Sequence, residues 1–148
     1  MAINADLQAR REARIAAHVE AENQFDVDAV LATMDPKNPK YDVVPYNVQV
    51  EGVEPVREFL KGHFAGMPGI TTAATRFYHS DDAAVVETHT WGTHTGEMEG
   101  IPANGNPIDV NAIGIFSFEP DGDVILSEKV FSDMLSLVRQ LKGETAPA

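Results

Sequence analysis

The chain contains no cysteine among its 148 residues. Disulfide frameworks, thiolate zinc sites, iron–sulfur clusters and cysteine nucleophiles are therefore excluded, because each of them needs a cysteine sulfur. A chain without thiols is compatible with a reducing compartment, so we expect a cytoplasmic protein. Any chemistry that the protein performs has to rest on carboxylate, imidazole, hydroxyl and amide groups.

Basic residues and long apolar runs are also scarce. Eleven Lys and Arg residues stand against 23 Asp and Glu residues, which gives a formal net charge of −12 at pH 7. Such a chain repels nucleic-acid phosphates and anionic membranes, so neither is an expected partner. No stretch approaches the roughly 18 apolar residues that a membrane span needs, and the N-terminus lacks an apolar signal-peptide core. We predict a single domain over 1–148, with its core at about 15–142 and a frayed tail at 143–148.

The first third of the chain has helical patterns. Apolar side chains at four-residue steps behind a cap at Asn4 or Asp6 predict a first helix. Asp26 is placed to cap a short second helix. Gly52 precedes a third helix, whose buried stripe includes Phe64.

From Ile70 onward the pattern changes to β structure. The predicted strands lie at about 71–79, 83–95, 106–118 and 124–131, after two short extended pieces at 41–44 and 47–50. Asp133 is placed to cap a short last helix. Helices before a long antiparallel meander predict an α+β fold: a cone-shaped, curved antiparallel sheet wrapped around three N-terminal helices, with a short C-terminal helix. The end of the cone that side chains do not fill is a natural small-molecule pocket.

Several short motifs occur in a fixed order along the chain. They are Asn23-x-x-Asp26, Gly52-x-x-x-Val56-Arg57-x-Phe59, Met67-Pro68, Gly92-Thr93-His94-Thr95-Gly96, Gly100-Ile101-Pro102 with Gly105, and Phe131-Ser132-Asp133 followed by Leu137, Gln140 and Leu141. Together they resemble the SnoaL-like polyketide cyclases, which belong to the nuclear transport factor two-like superfamily with its cystatin-like fold. The resemblance covers nearly the whole chain, and it implies a deep cavity, a homodimer and chemistry without a metal or cofactor.

The resemblance also implies a catalytic aspartate on the last strand, which acts as general acid/base in an intramolecular aldol ring closure. Alignment places this aspartate at Val130, and valine cannot move a proton. Because side chains alternate along a strand, Glu128 and Ser132 are expected to face the pocket together with Val130. A carboxyl group in an apolar cone is a suitable base, so Glu128 is the expected replacement. The alternative is a rim ion pair of Glu128 with Arg57, Arg76 or Lys129.

His89 and Trp91 share one face of the strand predicted at about 83–95. If that face lines the cavity, His89 is a candidate general acid/base and Trp91 a flat wall for an unsaturated ring. If it faces outward, both belong to a dimer interface. His94 has the opposite parity and is expected to hold the strand end by hydrogen bonding. The odd separation of the two histidines argues against a metal site with Glu97 or Glu99, because residues an odd number apart point to opposite faces.

Further polar residues are candidates for contacts with a substrate. Asn23 continues the apolar stripe of the first helix, where its amide either binds a substrate carbonyl or ties the helix to the following loop. Tyr41, Tyr46 and Asn111 are candidate donors into the cone, and a tyrosine there can stabilise an enolate oxygen.

The first helix also carries a row of polar and charged residues. Arg14, His18 and Glu22 follow one another at four-residue steps. Side chains at this spacing are neighbours on a helix surface and form ion pairs there. The row is therefore expected to be a solvated, salt-bridging face.

Two hypotheses for function follow from these residues. The first is a cofactor-free acid/base enzyme, a cyclase, isomerase, dehydratase or hydrolase, that acts on a small apolar carbonyl, ester or epoxide compound. Glu128 or His89 is its base, and its expected walls are Phe64, Trp91, Ile113 and Val130. The second is a non-catalytic ligand-binding protein or dimeric scaffold, which the valine at position 130 favours. In both cases the expected partner is a small apolar organic ligand.

Overall fold

The computed structural model describes residues 4–144, so most of the tail predicted to fray lies outside the described residues. The elements in chain order are α1 (Ala5–Asn23), α2 (Val27–Ala32), β1 (Lys40–Val43), β2 (Val48–Glu51), α3 (Val53–Ala65), β3 (Ile70–His79), β4 (Ala83–Thr93), β5 (Pro107–Ser117), β6 (Ser127–Ser132) and α4 (Met134–Leu141). A 3-10 turn at Val44–Tyr46 separates β1 from β2. Over residues 4–144, no helix is both long and apolar enough to cross a bilayer.

Three helices begin at the residues whose side chains cap them. Asn4, Asp26 and Asp133 each accept a hydrogen bond, at 2.8 to 3.0 Å, from the backbone N–H three positions further on. These bonds satisfy donors that the first turn of a helix leaves without a partner. The helix starts predicted from Asn4, Asp26 and Asp133 are thus confirmed.

The six strands form one sheet in the order β2-β1-β6-β5-β4-β3. β3 to β6 make an antiparallel meander, and a register shift between Ala74 and Arg76 marks a bulge in β3, which locally increases the twist of a sheet. β1 pairs with β2 antiparallel but with β6 parallel. The predicted α+β class is confirmed, and the parallel pairing is the one departure from an all-antiparallel sheet among these strands.

The inner face of the sheet packs against the first three helices. Buried residues of α1, α3, β4 and β5 form the main hydrophobic cluster, which includes Ile15, Leu60, Val86 and Phe116. A smaller cluster under α4 includes Ile108, Val110 and Leu141. Residues of both clusters border one cavity.

Arg11 of α1 is completely buried and fixes the helix to one end of the sheet. Its guanidinium group donates hydrogen bonds of 2.9 to 3.2 Å to the backbone carbonyls of Ser80, Asp81, Glu119, Pro120 and Gly122. It also lies 4.5 Å above the ring centre of Phe118. The five carbonyls belong to the β3–β4 and β5–β6 connections, so a single side chain holds both turns against α1.

Candidate functional site

A cavity of about 170 Å³ lies between the inner face of the sheet and helices α1 and α3. Its walls are mostly apolar and include Phe59, Leu60, Met67, Ile108, Val110 and Phe116. Glu22, Tyr41 and Glu128 bring ionisable groups into this lining. An apolar cavity with a few converging polar groups is the usual form of a small-molecule site.

The polar end of the cavity is built around one nitrogen atom of His18. His18 Nε2 lies 2.9 Å from the Tyr41 hydroxyl oxygen, 3.1 Å from Glu128 Oε2 and 3.5 Å from Glu22 Oε1. The Tyr41 hydroxyl donates a hydrogen bond of 3.2 Å to Glu22 Oε1. Tyr41 and Glu128 are direct register partners in the parallel β1–β6 pair, which explains why they lie side by side.

Thr33 fixes the orientation of the His18 ring. The Thr33 hydroxyl donates to the carbonyl of Val30 at 2.7 Å, so its oxygen is left to accept a hydrogen bond from Nδ1–H of His18 at 2.6 Å. With Nδ1 held in this way, Nε2 points toward the tyrosine and the two carboxyl groups. His18 is fully buried, and it orients its neighbours without lining the cavity itself.

The environment gives these groups very different proton affinities. Burial alone lowers the pKa of His18, but the charge of Glu22 and hydrogen bonds to Glu128 and Glu22 outweigh it and raise the pKa to about 10. Burial and the nearby charge of Glu22 raise the pKa of Glu128. Burial also acts to raise the pKa of Glu22, but the charge of His18 prevails and lowers it. Two carboxyl groups of unequal acidity at one site are the arrangement from which acid and base roles arise.

The same cluster is the place where a metal ion could be held. Within residues 4–144, ligand atoms of His18, Glu22 and Glu128 lie within 4.8 Å of one another. The raised pKa of His18 means that a metal would have to displace a tightly held proton from Nε2. His89 does not join His94 in a metal site: His94 is buried and bonded to Asn104, whereas His89 pairs with Asp109.

The predicted residues on β6 face the cavity, and so does Tyr46. Glu128, Val130 and Ser132 line the cavity on alternate positions of the strand, and Tyr46 lines it from the 3-10 turn. The partner of Glu128 differs from the expected Arg57, Arg76 or Lys129. It is His18, because β6 lies beside β1 and beneath α1.

The residues predicted on the other side of β4 and β5 face away from the cavity. His89 bonds to Asp109 at 2.9 Å and stacks on Trp91 with ring centres 5.0 Å apart. The side chains of Trp91 and Ile113 are exposed, and Asn111 borders a groove on the outer face. The inward positions of β4 are Val86, Thr88 and Thr90. The expectation that His89, Trp91, Asn111 and Ile113 form the cavity is therefore corrected: their parity places them outside.

Asn23 and Phe64 serve the packing of the helices instead of the cavity. The Asn23 amide donates to the carbonyl of Thr72 and accepts from its N–H, both at 2.8 Å, so it ties α1 to β3 and neither faces the cavity nor holds the following loop. Phe64 contacts Phe25 edge to face, with ring centres 5.7 Å apart, and does not belong to the cavity lining. Both expected substrate contacts are thereby corrected.

Sequence reasoning missed His18 and Glu22 as site residues. They were expected on a solvated face, yet His18 is fully buried and Glu22 faces the cavity. The missed signal is helical spacing, because positions 15, 18 and 22 continue the buried row that starts at 7 and 11. His63, which borders the cavity and stacks on Phe59 at 5.7 Å, was also missed.

The fold and the site together define a helix-covered sheet protein with a small-molecule pocket. The family model of the SnoaL-like polyketide cyclases matches residues 12–141. The chain belongs to this family, as the order of its motifs indicates. No curated protein matches the sequence.

Solved structures of the same fold cover nearly the whole chain. A protein from Jannaschia sp. CCS1, provisionally named a SnoaL-like polyketide cyclase, is 19% identical, with a TM-score of 0.79 and full coverage of both chains. AclR from Streptomyces galilaeus, provisionally named a hydroxylase, is 16% identical, with a TM-score of 0.76 over 95% of this chain and 85% of its own. IdmH from Streptomyces antibioticus, provisionally named a polyketide cyclase, is 18% identical, with a TM-score of 0.75 over 89% and 98%. At these identities the likeness establishes the fold, which hosts more than one activity.

Proposed function

We propose that the protein is a cofactor-free acid/base enzyme that acts on a small neutral carbonyl, ester or epoxide compound. The observation that carries this proposal is the meeting of Glu22, Tyr41 and Glu128 at one nitrogen of His18, at the polar end of an apolar cavity. Membership of the SnoaL-like family supports it. The cytoplasmic location expected from the sequence stays a prediction.

In the proposed reaction Glu128 transfers the proton. Its carboxylate takes a proton from the carbon next to the substrate carbonyl and returns it to another atom of the same substrate, so no external oxidant or reductant is needed. The Tyr41 hydroxyl donates its one hydrogen to Glu22 at the cavity, and in the reaction it turns this hydrogen to the substrate oxygen that gains negative charge. His18 is a positioning residue, since it acts through Glu128 and Tyr41.

The valine at position 130 defines how this site differs from the family pattern. Val130 lines the cavity where the family's aspartate is expected, and Glu128 lies two residues earlier on the same face of β6. This strand thus still carries a cavity-facing carboxyl group, two residues before the position where the family has its aspartate. The same valine favours a second candidate function, binding of a small ligand without turnover.

Turnover of a panel of neutral ketones, esters and epoxides, followed by mass spectrometry, tests the proposal. Glu128→Gln keeps the size of the side chain but removes its proton chemistry, so we expect turnover to fall at least about a hundredfold. His89→Gln, on the outer face, is the matched control and is expected to stay within twofold of wild type. Unchanged turnover in Glu128→Gln refutes the assignment. A wild-type protein that binds panel members but converts none supports the ligand-binding function instead.

We further propose that two copies of the chain associate through the outer face of the sheet. Trp91, Ile113 and Phe131 expose about 40% of their surfaces there, on three neighbouring strands. Water-exposed apolar groups on one face are typical of an interaction surface. Sedimentation equilibrium is expected to give a dimer, and the double variant Ile113→Glu with Phe131→Glu a monomer. A monomeric wild-type protein would contradict this proposal.

A further inference from the structure

The volume of the cavity limits the size of what it can hold. An engineered cavity of about 150 Å³ in another protein holds one benzene molecule, and pockets for drug-sized ligands measure about 300 to 1,000 Å³. At about 170 Å³ this cavity has room for roughly seven non-hydrogen atoms, which is a single ring. A skeleton of three or four fused rings does not fit.

The walls that α3 and β5 give to the cavity are buried in the packed core. Leu60, Ile108 and Phe116 are exposed by 2% or less, and Val110 by 8%. Side chains in a close-packed core move only when their neighbours move with them. We therefore take the cavity volume as a property of the packed core.

A second, outer basin adjoins the cavity. This basin of about 380 Å³ shares Tyr46, His63, Met67 and Met98 with the cavity, and Glu97 and Glu99 lie at its edge. Substituents of a ligand can extend from the cavity into the basin. The ring that reaches the polar end must still be small.

Charge further restricts the ligand. Glu22 and Glu128 lie at the polar end of the cavity, and Glu97 and Glu99 border the basin. No lysine or arginine among the described residues lines either space. The positive charge of His18 is already matched by Glu22 and Glu128, so burying another carboxylate here would carry a large desolvation cost without a further cationic partner. The ligand is expected to be neutral.

We propose that the ligand of this site inserts one neutral ring that carries a hydroxyl or an enolisable carbonyl group, while any further rings stay in the outer basin. The polar end supplies an acceptor in the Glu22 carboxylate and, when protonated, a donor in Glu128, and the Tyr41 hydroxyl can turn its one hydrogen from Glu22 to the ligand. It therefore matches a group that both donates and accepts. This inference rests on the proposed function for the chemistry of the polar end, but it concerns which compounds bind.

Three probes of graded size and charge test the inference by calorimetric titration of the wild-type protein. 4-Methylphenol has one neutral ring with a hydroxyl group, 4-methylbenzoate replaces that group with a carboxylate, and progesterone is a neutral ketone of four fused rings. We expect 4-methylphenol to bind at least tenfold more tightly than either of the others. Equal or tighter binding of 4-methylbenzoate or progesterone, or no binding of 4-methylphenol, overturns the inference.

Two variants on β5 test whether 4-methylphenol binds inside the cavity. A Cβ atom at Gly114 would lie 3.7 Å from Glu128 Oε1 and 3.0 Å from the Phe116 ring, so Gly114→Ala adds a methyl group at the polar end. Ile113→Ala changes the neighbouring residue, which faces outward, and is the matched control. We expect Gly114→Ala to weaken 4-methylphenol binding at least tenfold and Ile113→Ala to change it less than twofold, with melting curves showing that both fold. Equal affinities in the two variants contradict binding at this site.

The outcomes separate this inference from the proposed function. Selective binding of 4-methylphenol together with a lack of turnover across the substrate panel supports the inference and contradicts the enzyme. Turnover of a four-ring ketone that Glu128→Gln abolishes supports the enzyme and contradicts the inference. Glu128→Gln is expected to bind 4-methylphenol with an affinity within tenfold of wild type, because the apolar walls of the cavity and the other polar groups remain.

Discussion

The buried imidazolium of His18 makes the stability of the fold depend on pH. Its pKa is raised from 6.5 to about 10 in the folded protein by Glu22 and Glu128, against the effect of burial. A group whose pKa is raised on folding contributes stability that is complete below its unfolded pKa and is lost as the pH rises toward its folded pKa. The free energy of unfolding is therefore expected to fall on the alkaline side of pH 6.5.

The expected size of this effect follows from the two pKa values. Each pH unit between them changes the free energy of unfolding by at most about 1.4 kcal/mol. From pH 7 to pH 9 we expect a loss of about 2.5 kcal/mol, which corresponds to a fall of roughly 5 to 10 °C in melting temperature for a chain of this size. The raised pKa of Glu128 acts in the same direction. The lowered pKa of Glu22 costs stability only as the medium becomes acidic.

Urea denaturation at pH 7, 8 and 9, followed by circular dichroism, measures this slope. The variant His18→Gln retains a hydrogen-bonding side chain without a titratable group, and its unfolding free energy is expected to fall clearly less across this range than that of the wild type. His89→Gln, whose imidazole lies on the outer face, is expected to keep the wild-type slope. A flat wild-type profile, or an equal slope in His18→Gln, would show that His18 does not carry the pH dependence of stability.

Two further predictions concern the scaffold. Arg11→Lys replaces five N–H donors in a planar group by three on one atom, so it cannot keep all five bonds to the turn carbonyls and is expected to lower the free energy of unfolding by about 3 kcal/mol, as urea titration would show. Arg10→Lys on the exposed face should change it by less than about 0.5 kcal/mol. Equal effects of the two variants would contradict the role of Arg11 in holding both turns. A Cβ at Gly92, with φ of +152°, would lie 2.0 Å from the carbonyl oxygen of Gly69, so Gly92→Ala is expected to lower the melting temperature by several degrees. The added methyl group of Gly62→Ala in α3 meets no atom within 4 Å, so this control variant should raise the melting temperature slightly. An unchanged melting temperature in Gly92→Ala would contradict the predicted clash with Gly69.

The elements of the fold could be predicted from local sequence signals. Capping residues such as Asn4 and Asp133 mark helix starts through hydrogen bonds to residues three positions away, and strand alternation depends on immediate neighbours. The cavity-facing parity of Glu128 and Val130 was predictable for the same reason. The orientation of β4 could not be predicted in this way, because neither of its faces is apolar. Glu87 and His89 lie on one face, and Thr88 and Thr90 lie on the other.

The polar end of the site could not be predicted, because it depends on contacts between distant parts of the chain. His18 and Glu128 are 110 positions apart and meet only when β6 pairs with β1 beneath α1. On α1 the charges of Arg14 and Glu22 suggested a solvated face, although the spacing of Ile15, His18 and Glu22 also continues a buried row. Whether a charged residue on such a row is buried or exposed cannot be decided until its partner is known.

The parallel pairing of β1 with β6 has a consequence for the order of folding. The cluster of His18, Glu22, Tyr41 and Glu128 takes residues from α1 and β1 near the beginning of the chain and from β6 near its end, so it cannot be complete on the ribosome until β6 has been synthesised. Contacts of such large sequence separation form slowly, because a long loop must close first. The raised pKa of His18 would therefore report a late, long-range step in the folding of this protein.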